Sequence, residues 1–508
     1  MGITNFHKMI KEKYATAFQN KWLESYDHIY VDLNYTLHFC SYNAKNEDDV
    51  FSRVFNFFDN LLAELNPNKT LTVCSDGVAP LAKLVLQRQR RLSVSKNVSS
   101  NNNKDDDTDN ESFNTMIFTP GTNFMKNLKN KLKKYFYFVE QIYSIHVEYL
   151  NDQIDEAELK LKYQLMENMK LYPDDTHLIV SNDADVVVML TTLSNPYYTF
   201  TCSRTNSQNE ILSIGKMLDL HTDHVGTSLY PNYDFSLVSL MMGNDYLPKI
   251  RLADFEKLWE SYKNTLTILP NGLTTCNINS TNSTIEINKN FLVKMLNKLI
   301  LISKQKSLNF VTIRNGFGNM YLNYIDGLTW CLQTYNTGKC VRYDYMYEYQ
   351  ESPHPLGIIF NIIENPNLLI AKNTVCKPID QSLYAILLLP NFAKNLIDKK
   401  FHKFMENNDI LYLIERCKEC KEFNSKIKSL KTDISNTEDE FENISSIDSN
   451  NNVLSDKSKE IESKLKQLKN ENMLLGKKFT AHKKNHDRLN LSDIKDIISN
   501  FESFCKSK

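Results

Sequence analysis

The chain has 508 residues, of which 42% are hydrophobic, enough for one large domain or two to three smaller ones with a substantial core. Its 60 Lys and Arg against 61 Asp and Glu leave a formal net charge of -1. A chain that is basic throughout is excluded, so any nucleic-acid footprint is local and is offset by acids elsewhere. No run approaches the ~18 uninterrupted apolar residues of a membrane span, and the N-terminal MGITNFHKMIKEKY has no apolar signal core. Phe6 stands where a myristoylation signal needs Ser or Thr. Among the 10 cysteines only Cys417 and Cys420 form a CxxC, with no second pair at zinc spacing. The expectation is reduced thiols in an intracellular protein, for which the sequons at Asn279 and Asn282 are irrelevant.

In chain order, residues 28–34 (HIYVDLN) and 71–76 (LTVCSD) are predicted as short buried strands. Between them Val50, Val54, Phe57, Phe58, Leu61 and Leu62 recur at helical spacing over 48–65. Residues 94–112 are polar and low in complexity, which predicts a disordered loop. The basic helix at 126–134 (KNLKNKLKK) is expected on the surface. Residues 177–182 (HLIVSN) are a further strand, and 275–286, rich in Asn, Ser and Thr, read as a surface insertion. Tyr343, Tyr345, Tyr347 and Tyr349 alternate as in a half-buried strand. Residues 430–458 are another polar low-complexity stretch, followed by an amphipathic helix. The spacing of its Ile461, Leu465, Leu468 and Leu474 is irregular, which predicts a helix docked on the domain rather than a dimerising coiled coil. Strands alternating with helices predict an α/β fold with a mostly parallel central sheet flanked by helices. Ligands of such sheets bind beyond the carboxyl ends of strands, where Asp32, Asp76 and Asp183 fall.

Two sets of residues carry chemistry. Asp32, Asp76, Glu156, Glu158, Asp183, Asp185 and Asp245 are clustered acids without His or Cys, the hard oxygen donors that suit Mg2+. Two-metal nucleases hold such ions ~4 Å apart, one activating water and one stabilising the leaving oxygen. A single Asp-x-Asp or Glu-x-Glu is more often a solvated corner. Asp32, Asp76, Asp183 and Asp245, however, are embedded in apolar runs, where a carboxylate is costly unless paired or metal-bound. The second set lies just after Asp76. On a helix from Pro80, Lys83, Gln87, Arg90 and Arg91 share one face. Arg forks bind phosphate bidentately and Lys adds a point charge. A solvated basic helix or a localisation signal is an equal reading by composition, and adjacency to Asp76 favours a phosphate pocket. His38 is a candidate to stack on a base. Tyr343 and Tyr345 are read either as sheet packing or as an aromatic platform for single-stranded RNA.

At these residues the chain resembles the Xrn family of 5′→3′ exoribonucleases. The resemblance runs in order along roughly the first 400 residues and includes MGITNF, VDLNYTLH, CSDGVAPLAKLVLQRQRR, FTPGTNFM, DEAELK, SNDADVVVML, GNDYLP, YIDGLTWCL and KPIDQSLYAILLLP. It implies a PIN or flap-nuclease-like core, with a nuclease domain over 1–300, a second conserved segment over 301–400 bracing the active site, and a helical region over 401–508. It also implies that the acids named above are catalytic and hold two Mg2+ or Mn2+ ions. Lys83, Gln87, Arg90 and Arg91 then take a 5′-monophosphate, and His38, Tyr343 and Tyr345 meet the RNA. The implied activity is processive, metal-dependent degradation of 5′-monophosphorylated single-stranded RNA to mononucleotides, as in mRNA decay. A decapping factor or helicase would supply the substrate to a monomeric, compact, cytoplasmic family member; nuclear residence stays open. The family's Gly-Glu-Gly-Glu-His-Lys stretch is here Asp-Glu-Ala-Glu-Leu-Lys at 155–160, and its tryptophan-rich strand appears as Tyr343 and Tyr345. A flap-type 5′ DNA nuclease and a catalytically idle RNA-binding scaffold are the alternatives.

Overall fold

The structure, a computed structural model, describes residues 3, 5–88, 90–91, 113–151, 154–204, 209–279, 282–303, 318–349, 351–372, 374–389, 391–407, 418–448, 456–486 and 491–506. The loop expected at 94–112 falls outside these residues, and so do Cys417 and residues 449–455.

Strand β2 (Tyr26–Asp32) is buried on both faces along nearly its whole length, as a central strand of a parallel sheet must be. It pairs in parallel with β3 (Pro67–Cys74) on one side and β5 (His177–Val180) on the other, with Val31 opposite both Val73 and Val180. β4 (His146–Leu150) adds in parallel outside β3, and β6 (Thr199–Arg204) outside β5. β7 (Asn209–Ser213) and the short β1 (Phe18–Gln19) complete that edge antiparallel, giving the order β1-β7-β6-β5-β2-β3-β4. The chain therefore moves outward from β2 through β3 to β4, then returns to lay β5 on the other side of β2. The carboxyl ends of β2, β3 and β5 meet at this reversal, which is where open α/β sheets place their ligands.

Side chains alternate across the sheet. Ile29, Val31, Leu71, Val73, Leu178 and Val180 face a core shared with α2 (Leu33–Ser41), α3 (Glu47–Leu65) and α5 (Asn123–Tyr143). Tyr30, Cys74 and Ile179 face a second core, which takes in α1 (Phe6–Lys13), α6 (Ala157–Leu171), α7 (Ala184–Thr191) and α9 (Pro231–Leu240). The basic helix α4 is helical at residues 81–88 and at Arg90 and Arg91. Local chemistry sets helix ends: Asn46 accepts the amide of Asp49 and caps α3, whose first turn is acidic, and Asn66 ends it at φ 45.

Two expectations change. Residues 275–286 form most of an antiparallel hairpin, β8 (Thr274–Asn279) and β9 (Asn282–Ile287), anchored by buried Ile285 and Ile287. Its Asn and Thr residues hid the strand periodicity. The tyrosines at 343–349 lie in no strand. The segment is held instead by Arg342, which makes two bonds of 2.8 Å to Asp326 on the helix Gly318–Thr337. In the polar stretch, residues 430–448 are helical.

Contacts divide the chain into two compact units: residues 1–389 with 393–398, and residues 390–392 with 399–508. In the second unit, the helices Lys418–Asp448 and Asp456–His486 run antiparallel. Phe423 stacks on Phe479 at 5.4 Å, and Lys469 bonds Glu438 at 2.7 Å. A partner helix and the absence of Gly and Pro from 430–448 explain why a polar sequence is helical there. Phe501 on the last helix, Leu491–Lys506, packs on Phe401 and Phe404. No helix among the described residues is long and apolar enough to cross a membrane.

Gly327 lies under Tyr345, and a Cβ at that position would sit 1.8 Å from the phenolic oxygen. Gly327→Ala is expected to destabilise the first unit by about 1–3 kcal/mol through overpacking, as a lowered midpoint in urea unfolding with an unchanged slope.

Candidate functional site

The acids converge because all but Asp245, which lies in the turn after a helix, end or follow a strand or begin a helix at the same edge of the sheet. Asp32 is the last residue of β2 and caps α2, accepting the amides of Asn34 at 2.9 Å and Tyr35 at 3.1 Å. The Ser181 hydroxyl donates to its other oxygen at 3.3 Å. Asp76, two residues beyond β3, accepts the Asn34 side-chain amide and, at 2.9 Å, the backbone N–H of Ala157. Glu156 is the residue before α6, and Glu158 lies in that helix's first turn. Asp183 caps α7 by accepting the amide of Asp185 at 3.0 Å, and it borders a cleft of about 390 Å3 walled by Phe6, His7, Ile10 and Glu210. Asp245 follows Gly243, whose φ of 83 lets the chain turn after α9.

Two cations of α4 enter this cluster. The Lys83 ammonium pairs with Glu156 and lies 3.4 Å from Asp245 and 3.8 Å from Glu158. Arg90, two helical turns on, forks onto Asp245 at 2.8 and 3.2 Å. Gln87 and Arg91 occupy a different side of the helix. Arg91 donates to the Thr119 hydroxyl at 2.9 Å and to the Gln87 carbonyl at 3.1 Å, and the Tyr384 hydroxyl donates to the Gln87 side chain at 2.9 Å. The four basic-face residues therefore divide, Lys83 and Arg90 among the acids, Gln87 and Arg91 beside them.

Buried like charges cannot all ionise without a cation. Burial and the neighbouring Asp76 and Asp183 push Asp32 up to about 7. Burial drives Glu158 and Asp185 well above the carboxylate range, Asp185 helped by Asp183 and Asp245. Asp245 goes the other way: burial would raise it, but Lys83 and Arg90 hold it below its ordinary value. Among the described residues, Glu158 Oε2 and Asp185 Oδ1 are buried carboxylate oxygens without a hydrogen-bond donor. No three acidic, His or Cys side chains among the described residues stand ready as they lie to share an ion. The donor chemistry nonetheless fits a hard divalent cation: every group is a carboxylate, two oxygens are orphaned, and negative charge exceeds what Lys83 and Arg90 balance.

His38 is exposed at the end of α2, its ring set edge-on against Phe118 at 5.4 Å. Tyr343 and Tyr345 are corrected. Both are core residues, 6% and 2% exposed, so neither presents a face to a base. Tyr343 donates to the Asp155 carboxylate, and the Tyr345 ring packs at a tilt against Trp330 at 4.7 Å. Sequence reasoning missed Asn34, Ser181, Tyr246, Thr119 and Tyr384. The first three are signalled by lying within two residues of an acid already singled out. Thr119 and Tyr384 carry no local signal, since only the tertiary fold brings them to α4.

The structure thus brings a carboxylate cluster and a basic helix together at the switch point of an α/β sheet. Residues 1–201 match the family model of the XRN 5'-3' exonuclease N-terminus. It is 25% identical over 299 residues to 5'-3' exoribonuclease 1 of Saccharomyces cerevisiae, covering 49% of this chain and 19% of that protein. The human 5'-3' exoribonuclease 1 is 24% identical over 303 residues, covering 49% of this chain and 17% of that protein. Each match spans less than a quarter of the relative's length. Among solved structures, the catalytic core of Rad2 in complex with DNA substrate aligns at a TM-score of 0.33 and 13% identity, covering 80% of this chain and 99% of that one. The T5 D15 protein co-crystallized with metal ions aligns at 0.29 and 12%, covering 54% and 89%.

Lys83→Met is expected to cost about 3 kcal/mol at pH 8, because Glu156, Glu158 and Asp245 lose their shared cation. Without Lys83 the folded-state pKa values of Glu156 and Glu158 rise further above their unfolded values, and Asp245 loses part of what holds it down. The loss therefore grows as pH rises and shrinks toward pH 5, which urea unfolding at the two pH values measures.

Proposed function

We propose that the chain is a metal-dependent, processive 5′→3′ exoribonuclease that degrades single-stranded RNA bearing a 5′-monophosphate. The observation that carries this is the adjacency of the acid cluster to Gln87 and Arg91 on α4. That adjacency supports reading Gln87 and Arg91 as a phosphate-binding pair next to an array of oxygen donors. Two Mg2+ or Mn2+ ions held by Asp32, Asp76, Glu156, Glu158, Asp183, Asp185 and Asp245 would supply a polarised water and charge stabilisation at the leaving oxygen. Arg91, already oriented by Thr119, binds the 5′-phosphate with Gln87, and Lys83 and Arg90 add positive charge beside it. His38 stacks on the terminal base, its ring braced by Phe118. A site that admits one phosphate beside Gln87 and Arg91, which Tyr384 and Thr119 hold, would discriminate against triphosphate and capped ends. Decapping factors or a helicase would deliver substrate to a cytoplasmic monomer.

The test is a time course on 3′-labelled RNA with monophosphate, triphosphate or hydroxyl 5′ ends, in Mg2+ and in EDTA. The expected outcome is metal-dependent loss of the monophosphate substrate alone, without ladder intermediates. Loss of DNA but not RNA supports a flap-type nuclease, and degradation of neither supports an idle binder. Asp183→Asn keeps the α7 cap and removes the charge, so cleavage should fall by about 100-fold or more with the melting temperature retained. Full activity removes Asp183 from the site. Arg91→Ala should erase the preference for monophosphate over hydroxyl ends, read as the ratio of kcat/KM values.

A further inference from the structure

Glu156 is presented to the cluster from a constrained piece of backbone. Asp155, the residue before it, has φ 65, in the left-handed region that L side chains avoid and that Asp tolerates better than most. The turn is strapped on both sides to the Asp76 segment, because Gly77 N–H donates to the Asp155 carbonyl at 2.7 Å and Ala157 N–H donates to the Asp76 carboxylate at 2.9 Å. Two tyrosine hydroxyls complete the arrangement. Tyr343 donates to the Asp155 carboxylate, while its own carbonyl accepts Leu81 N–H at 2.9 Å at the start of α4. Tyr246, next to Asp245, donates to Glu156 Oε2, and Lys83 takes the opposite oxygen, Oε1. Asn244 holds the Tyr246 amide at 2.9 Å, and the ring lies edge-on to Trp330 at 5.3 Å. Glu156 is 1% exposed, so these contacts alone decide where its carboxylate points.

We propose that Tyr343 and Tyr246 are positioning residues that aim Glu156: Tyr343 by holding Asp155 in its left-handed conformation, Tyr246 by orienting the carboxylate itself. The proposal rests on the reading of the acid cluster as a divalent-cation site. Groups that orient a ligating side chain typically control metal affinity by about 10–100-fold. The two hydroxyls act by different routes, and this gives a test that a purely structural role would not satisfy. Glycine adopts φ near 65 without help. Asp155→Gly therefore makes the Tyr343 hydroxyl unnecessary but does nothing for Tyr246.

The experiment is calorimetric Mn2+ titration of the full chain, with thermal melts to establish folding and the monophosphate-RNA assay alongside. Tyr343→Phe and Tyr246→Phe should each weaken Mn2+ binding by about 10-fold, with cleavage at low Mn2+ lowered in step and partly recovered at high Mn2+. Adding Asp155→Gly should restore Mn2+ affinity in the Tyr343→Phe chain and leave it weak in the Tyr246→Phe chain. If Tyr343→Phe alone does not fold, the double variant decides: a folded double variant with wild-type affinity supports the proposal, and one that stays unfolded overturns it. Folded single variants with unchanged affinity overturn it, as does rescue of both or of neither. A wild-type chain that binds no Mn2+ overturns the metal-site reading together with this one. A wild type that binds Mn2+, with variants equal to it, overturns this one alone.

Discussion

The structure turns on a crowd of carboxylates at the end of a buried parallel sheet. Burial alone makes each charge costly, and mutual repulsion raises the cost further. The fold meets this with backbone amides that cap Asp32 and Asp183, with hydroxyls from Ser181 and Tyr246, and with the ammonium of Lys83 and the fork of Arg90. These groups compensate only in part, as the elevation of Asp32, Glu158 and Asp185 shows. A site left short of positive charge is an unstable arrangement for a scaffold and a suitable one for attracting cations.

Helix α4 gains a second role from this arrangement. Its 3.6-residue period places Lys83 and Arg90 toward the acids and Gln87 and Arg91 toward Thr119 and Tyr384. One rigid element thus couples the part of the site that would hold metal to the part that would hold phosphate, at a separation the helix itself sets.

Much of this was legible in the sequence. The apolar runs ending in Asp32, Asp76 and Asp183 announce strands of an α/β sheet, because central parallel strands need two-sided burial and ligand sites need their carboxyl ends. The Lys83–Arg91 face follows from helical spacing. What was not legible depends on tertiary packing. Alternating tyrosines at 343–349 satisfy a strand pattern, yet Gly327 lets a helix approach closely enough to enclose Tyr345, and Tyr343 is drawn to Asp155. The hairpin at 274–287 and the helix through 430–448 are polar sequences whose structure comes from a partner element rather than from their own periodicity. Tyr384 lies nearly 300 positions from the residue it touches, Gln87, beyond any local pattern (|i−j| = 297).

That separation has a consequence for how the molecule comes into being. The acids at 32, 76, 156, 158, 183 and 185 are synthesised well before Asp245, Tyr343 and Tyr384. A nascent chain that has paired β2, β3 and β5 already holds most of the repelling charges but lacks several of the groups that brace them. Contacts between residues so far apart in sequence form slowly, since loop closure precedes the stabilisation it makes possible. The acid cluster therefore gains its full set of bracing groups only once the chain through Tyr384 is in place.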